Sequence, residues 1–279
     1  MDTEFERVRS LQGIHNFRDY GGYRAADGVL RTATLFRSGQ HAGATPADLD
    51  AVQALHLRTV VDLRGDAERR AAPCVRHPEF GAEVLFAAGE TAGDSLAPHE
   101  EAGQGIRTAD EAQAAMTQLY TTMPFRPVLV DSLRLYFAAL ATQDGSSLVH
   151  CLAGKDRTGW AVALLHHLLG VHADDIMADY LLTNTAGDQA ARIGSAAASI
   201  RERYGAQMDD DAIVTLMSVH PDYLMTAFDA IQARYGSVTG YAEAVLAVDA
   251  AALERLRARL IARPWRPCSP DGRRALKRA

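Results

Sequence analysis

Val149-His150-Cys151-Leu152-Ala153-Gly154-Lys155-Asp156-Arg157-Thr158-Gly159 runs from a short apolar strand into a loop, and from the loop into a helix. Five residues, 152 to 156, separate Cys151 from Arg157, a length that lets the chain wrap a tetrahedral anion with successive backbone N–H groups pointing inward. The first turn of the following helix adds free N–H groups and the positive end of its dipole. The field that attracts an anion also favours a thiolate, so Cys151 is expected to be a nucleophile at neutral pH. Arg157 offers a planar fork of donors that can hold two phosphate oxygens at once as charge spreads in a loose transition state. The hydroxyl of Thr158 is placed to reach back toward the Cys151 sulfur, and Gly154 and Gly159 allow close approach of the backbone. Leu152, Ala153, Gly154, Lys155, Asp156 and Arg157 are therefore the candidate substrate-binding residues. A Walker nucleotide loop does not fit, because Val149 stands where its first glycine should be and Asp156 where Ser or Thr should follow the lysine. A structural cysteine buried ahead of a helix is the plainer competing reading.

His-Cys, five residues, then Arg-Thr-Gly resembles the signature of the cysteine-dependent protein-tyrosine phosphatases, and residues 150–159 match it without a gap. The Gly154-Lys155-Asp156-Arg157-Thr158 form is similar to the atypical bacterial branch, whose members act on phosphotyrosine, on other phosphoproteins and on phosphoinositides. Asn16-Phe17-Arg18-Asp19, Phe36-Arg37-Ser38-Gly39 and Asp62-Leu63-Arg64 extend the likeness beyond the loop. Arg18 and Arg37 read equally well as surface arginines that only pack. The resemblance implies an α/β fold with a central, mostly parallel sheet flanked by helices, a helical lid inserted at about 88–127, and a helical C-terminal half.

The composition sets the bounds. At 279 residues with 48% hydrophobic content the chain can bury a full core. A net charge of −6 argues against nucleic acid as a bulk partner. The three cysteines, Cys74, Cys151 and Cys268, have no paired spacing, and His166, His167 and His172 lack the one-turn spacing of a helical metal site. No metal and no cofactor is expected. The N-terminus has no basic region followed by an apolar core, and no run of about 18 apolar residues occurs. The expectation is a cytoplasmic protein with no stable membrane insertion, or one exported by a route that uses no signal peptide.

Read in order, Asp27-Gly28 suggests a hairpin turn and residues 35–38 a strand. Thr45 caps a helix over 46–55, and 59–63 is a buried parallel strand with Asp62 at its carboxyl end, where ligand sites gather in open α/β sheets. Asp62 thus faces the site, or serves as an N-cap or pairs locally with Arg64. A strand at 83–86 leads to a connection over 87–105 with no periodicity, expected to be mobile. Residues 108–122 form a helix whose Met116, Leu119 and Tyr120 are either a lid's inner face or an ordinary core face. A helix over 128–141 and a strand over 147–149 feed the loop. Trp160, Val162, Leu164, Leu165, Leu168 and Leu169 then make a helix apolar on nearly every side. Helices follow over 174–184, 189–204, 210–218, 221–235 and 241–261, and the basic, proline-containing stretch 263–279 is expected to be a disordered tail. Residues 1–262 are expected to form one domain.

The expected chemistry is phosphomonoester hydrolysis through a phosphocysteine. Its substrates would be phosphotyrosine proteins, other phosphoproteins or phosphoinositides, and its product inorganic phosphate. Cys151 attacks, Arg157 and the loop amides hold the oxygens, and Thr158 assists departure of the thiolate. No Trp-Pro-Asp stands on a later loop to supply the acid, which leaves Asp156 as first candidate and Asp62 as second. Lys155 gives the loop a charge beyond what phosphotyrosine needs, or is simply solvated. The rival classes are a phosphoprotein-binding module with weak turnover, an enzyme acting mainly on phosphoinositides, and sulfur transfer or arsenate reduction on the same loop.

Overall fold

The computed structural model describes residues 6–91, 105–187, 193–194, 197–198, 200–202 and 207–262. The strands are β1 (Arg18–Asp19), β2 (Arg24–Ala25), β3 (Gly28–Leu30), β4 (Leu35–Ser38), β5 (Leu57–Asp62), β6 (Glu83–Leu85), β7 (Ser146–His150) and β8 (Ile261–Ala262). The longer periodic stretches are helices α1 (Pro46–Gln53), α2 (Asp66–Ala71), α3 (Ala109–Thr122), α4 (Pro127–Thr142), α5 (Asp156–Leu168), α6 (Ala173–Leu181), α7 (Asp210–Met217), α8 (Pro221–Tyr235), α9 (Val238–Leu246) and α10 (Ala250–Leu260).

β4, β7, β5 and β6 pair in parallel, and β1 adds antiparallel beside β4, so the sheet order is β1-β4-β7-β5-β6. This is the α/β architecture expected. Its register decides where the chemistry sits, because Ser38 lies opposite His150 and His150 opposite Asp62. The carboxyl ends of three adjacent strands thus meet in one row directly before Cys151. The helix that leaves the loop, α5, is buried along nearly its whole length. Its Trp160 is fully enclosed, with ring centroids 5.2 Å from Phe228 of α8 and 6.4 Å from Tyr241 of α9. A buried ring of this size anchors the loop's exit in the core.

Several boundaries differ from expectation. The hairpin turns at Ala26-Asp27, with Gly28 already paired to Ala25. Gly28 is needed there because a Cβ would lie 2.3 Å from the Ala262 carbonyl of β8, which closes β2 and β3 into a three-stranded antiparallel sheet. The helix expected over 241–261 is two helices. Ala247 takes a left-handed φ of 57° and Asp249 caps α10 by accepting from the Ala252 N–H at 2.7 Å. Residues 87–91, expected to be mobile, are tied to α2. Gly89 N–H donates to Asp66 at 2.8 Å, Ala67 N–H to Glu90 at 2.9 Å, and Arg69 to the Ala87 carbonyl at 3.0 Å. The rest of that connection, 92–104, the tail 263–279 and most of the helix expected at 189–204 lie outside the described residues. No described helix is long and apolar enough to cross a membrane.

Candidate active site

In the loop after β7 Leu152 and Ala153 are half-buried while Cys151 is only 2% exposed, and α5 begins at Asp156 so that Arg157 and Thr158 lie in its first turn. Gly154 has a φ of 66°, and a Cβ there would stand 2.4 Å from the backbone of Ser38. Only glycine fits both demands. The Gly154 carbonyl accepts from Asn16 Nδ2 at 2.7 Å and Arg37 Nη2 at 3.0 Å. Arg37 in turn holds Asp179 of α6 at 2.7 Å, and Arg18 donates to the Asp179 carbonyl at 2.8 Å and to the Asn16 side chain. Arg18 and Arg37 are wholly buried struts rather than surface groups. Burial alone would raise the Asp179 carboxyl, but the two guanidinium groups hold it well below the ordinary carboxylate range. Burial, followed by the neighbouring Arg37, lowers Arg18 to about 10.

Arg157 is aimed by a residue that sequence reasoning missed. Its Nη2 donates to Glu68 Oε1 at 2.7 Å, and its Nη1 reaches the other Glu68 oxygen, the Thr91 hydroxyl at 2.7 Å and the Leu63 carbonyl at 3.2 Å. Burial opposes the guanidinium charge, yet Glu68, Cys151 and Asp156 outweigh it and raise the Arg157 pKa further. Glu68 sits in α2, between the strand end and the residues pinned at 87–91, and nothing in its spacing relative to Cys151 signals the contact. The one hint was the pair of acids, Asp66 and Glu68, in a first helical turn.

Asp156 is buried beside Arg157, and its Oδ1 accepts from the Tyr120 hydroxyl at 2.8 Å, with Tyr180 donating to Tyr120 at 2.8 Å. Met116, Leu119 and Tyr120 all face inward, and Tyr120 carries α3 onto the loop. Burial, with Asp156 next to it, raises the Tyr120 hydroxyl well above its ordinary range, so it stays a donor. Lys155 Nζ lies 3.5 Å from Asp156 Oδ1 and turns toward the end of α7, where it meets the Leu216 and Ser218 carbonyls. It is buried, so it is not the solvated lysine of the plainer reading. The Thr158 hydroxyl is fully buried and makes no hydrogen bond among the described residues, so the expected contact with the Cys151 sulfur is not formed.

Asp62 stands one strand away from His150 and is engaged by Arg64, whose Nη2 lies 2.7 Å from Oδ2 and Nε 2.9 Å from Oδ1. Burial would raise this carboxyl, but His150 and Arg64 together hold it well below the carboxylate range. His150 is enclosed, stacks on His41 at 5.6 Å, and is pushed down to about 4 by burial. The structure therefore brings Cys151, Asp156, Arg157 and Thr158 together at one loop and sets Asp62 behind it in a local ion pair.

The model described as the tyrosine phosphatase family matches residues 9–262. A protein of Cupriavidus necator, whose name provisionally assigns it to the tyrosine-protein phosphatases, is 37% identical over 259 residues, covering 88% of this chain and 89% of its own. The triple specificity protein phosphatase PtpB of Mycobacterium tuberculosis is 31% identical over 263 residues, covering 84% of this chain and 92% of its own. Among solved structures, P. aeruginosa TpbA aligns over 70% of this chain and 96% of its own at 19% identity, with a TM-score of 0.30, too low to bear on the fold.

Proposed function

We propose, from the premise that this chain belongs to the tyrosine phosphatase family and is a protein-tyrosine phosphatase, that it hydrolyses phosphotyrosine through a phosphocysteine at Cys151. One observation carries the mechanism: Arg157 sits in the first turn of the helix that leaves the cysteine loop, with its fork fixed by Glu68 and Thr91. The Cys151 sulfur attacks phosphorus, forming an S–P bond as the P–O bond to the leaving group breaks. Arg157, the loop and the helix N-terminus stabilise the charge on the equatorial oxygens. Asp156 gives its proton to the departing oxygen, then takes one from the water that attacks the phosphocysteine, releasing inorganic phosphate and the thiolate.

Asp156 is preferred over Asp62 as the acid on geometric grounds. Both Asp62 oxygens are committed to Arg64, whereas Asp156 lies within the loop and its contacts with Tyr120 and Lys155 both fall on Oδ1. Lys155 would have to leave the Leu216 and Ser218 carbonyls to meet the second phosphate of an inositol lipid, which favours phosphotyrosine as the substrate. Phosphate release from a phosphotyrosine peptide and from a phosphoinositide, measured side by side with vanadate and chelator controls, tests the reading. Cys151→Ser should abolish both activities while phosphate-ester binding persists. A serine variant keeping a tenth of the rate would exclude the thiolate mechanism.

A further inference from the structure

Asp156 has two carboxyl oxygens, and its neighbours treat them differently. Oδ1 accepts from the Tyr120 hydroxyl at 2.8 Å and faces Lys155 Nζ at 3.5 Å. An ammonium group only donates, so it favours a lone pair at Oδ1 over a hydrogen. The Tyr120 hydroxyl by itself leaves the matter open, because a phenol could equally accept from a protonated Oδ1. The residue behind it closes that option.

Tyr180 of α6 donates to the Tyr120 oxygen at 2.8 Å, and among the described residues its hydroxyl has no other acceptor. Running from Tyr180 to Tyr120 to Asp156, each hydroxyl hydrogen finds an acceptor and the last acceptor is Oδ1. Were the chain reversed, with Oδ1 donating to Tyr120 and Tyr120 to Tyr180, the Tyr180 hydrogen would be stranded. Tyr120 is 0% exposed and Tyr180 1%, so no water reaches that hydrogen, and an unpaired donor in the core is costly. Burial also raises both hydroxyls well above their ordinary range, so neither loses its hydrogen to become an acceptor only. The rings are held in place from several helices. Tyr180 passes over Gly159 of α5, where a Cβ would lie 3.0 Å from its ring, and meets Tyr120 edge-on with centroids 6.4 Å apart.

We propose that Tyr120, fixed in direction by Tyr180, is a positioning residue that reserves Oδ2 of Asp156 for the proton delivered to the leaving group. This rests on the reading of Asp156 as the general acid. As the S–P bond forms and the P–O bond breaks, the hydrogen on Oδ2 passes to the departing oxygen and Asp156 is left as a carboxylate. The Tyr120 hydrogen bond strengthens as that charge appears, so it favours the transfer more than it favours the resting acid. In hydrolysis of the phosphocysteine the same oxygen takes the proton of the attacking water.

The test compares the full chain with Tyr120→Phe, Tyr180→Phe and Asp156→Asn, reading kcat/KM on unactivated phenyl phosphate and on nitrophenyl phosphate together with inhibition by inorganic phosphate. Of the about 10²–10⁴-fold that a general acid contributes on the poorer leaving group, Tyr120→Phe should forfeit tenfold or more. It should lose less than about twofold on nitrophenyl phosphate and leave phosphate inhibition unchanged, because the cradle is intact. Tyr180→Phe touches neither Asp156 nor substrate and keeps the Tyr120 bond, and it carries the test even if Tyr120→Phe does not fold. It should show the same leaving-group-selective loss at about threefold, since reversal of the chain no longer strands a hydrogen. Equal slowing of both substrates in Tyr120→Phe marks a merely structural role and overturns the inference, as does an unchanged phenyl phosphate rate in either phenylalanine variant. Leaving-group dependence in Asp156→Asn without it in Tyr120→Phe overturns the inference alone. Its absence in Asp156→Asn overturns the assignment of the acid and the inference with it.

Discussion

Under the proposed mechanism Asp156 and Glu68 do different work at the same loop, and their variants should separate. Asp156→Asn should slow a substrate with a poor leaving group, such as an alkyl phosphate, by about 10²–10⁴-fold and one with a good leaving group much less, because only a basic leaving oxygen needs the proton. Leaving-group dependence in Asp62→Asn, with equal slowing of both substrates in Asp156→Asn, would reverse the assignment. Glu68 acts through Arg157. It fixes the Arg157 fork through two contacts, so Glu68→Gln should lower kcat/KM by about 10²-fold, the order expected for a misaligned transition-state donor. The loss should be the same for good and poor leaving groups. A Glu68→Gln enzyme with unchanged kcat/KM would show that Thr91 and the Leu63 carbonyl orient Arg157 unaided.

The loop as an element is shaped by what crosses it. Gly154 combines a left-handed φ with backbone contact to β4, and its carbonyl is the shared acceptor of Asn16 and Arg37. Gly154→Ala should therefore cost about 1–3 kcal/mol of stability through strain at that position and push the loop off β4. Denaturant unfolding measures the first effect and phosphate release the second. A variant with wild-type stability and activity would mean that the loop relaxes freely. Four helices meet at Tyr120 of α3, which donates to Asp156 of α5, takes the Tyr180 hydroxyl of α6, and lies against Tyr223 of α8 with ring centroids 5.6 Å apart. The inward face of α3 is thus a core face, the ordinary reading of its periodicity, and it reaches the loop through Tyr120.

Three imidazoles, His41, His150 and His166, are buried in the described residues. His166 is fully enclosed with Nε2 on the Tyr20 carbonyl at 2.9 Å, and burial lowers its pKa, as it does for His41 and His150. Each of these groups titrates lower folded than unfolded, so the unfolded chain binds more protons below its ordinary value of about 6.5. Stability is therefore complete above that pH and is lost as pH falls through it, by up to about 1.4 kcal/mol per group and pH unit. Urea midpoints should fall between pH 7.5 and 5, and His166→Gln, which preserves a donor toward Tyr20, should flatten that slope. An unchanged slope in the variant would mean that His166 does not contribute to it. Asp179 adds a separate loss at lower pH, since its depressed carboxyl stabilises the fold only while ionised.

What lies close in the chain could be read from it. The loop residues from Cys151 to Thr158, the strand before them and the all-round apolar helix after them depend on local pattern, because spacing, turn chemistry and periodicity act over a few residues, while the mostly parallel sheet was implied by the family resemblance. The partners of those residues could not be read in the same way. Glu68 on Arg157, Asp179 on Arg18 and Arg37, and Tyr120 on Asp156 join positions from 36 to 161 residues apart. Strand order and register bring them together, and a single-residue slip of β5 on β7 would carry Asp62 away from His150. The residue types at the loop were thus determined by the sequence alone, while the aim of Arg157, the pairing of Asp62 and the burial of both N-terminal arginines were decided by tertiary packing. Apolar burial is set by pattern, but which charge compensates another inside the core depends on distances that exist only once the sheet has formed.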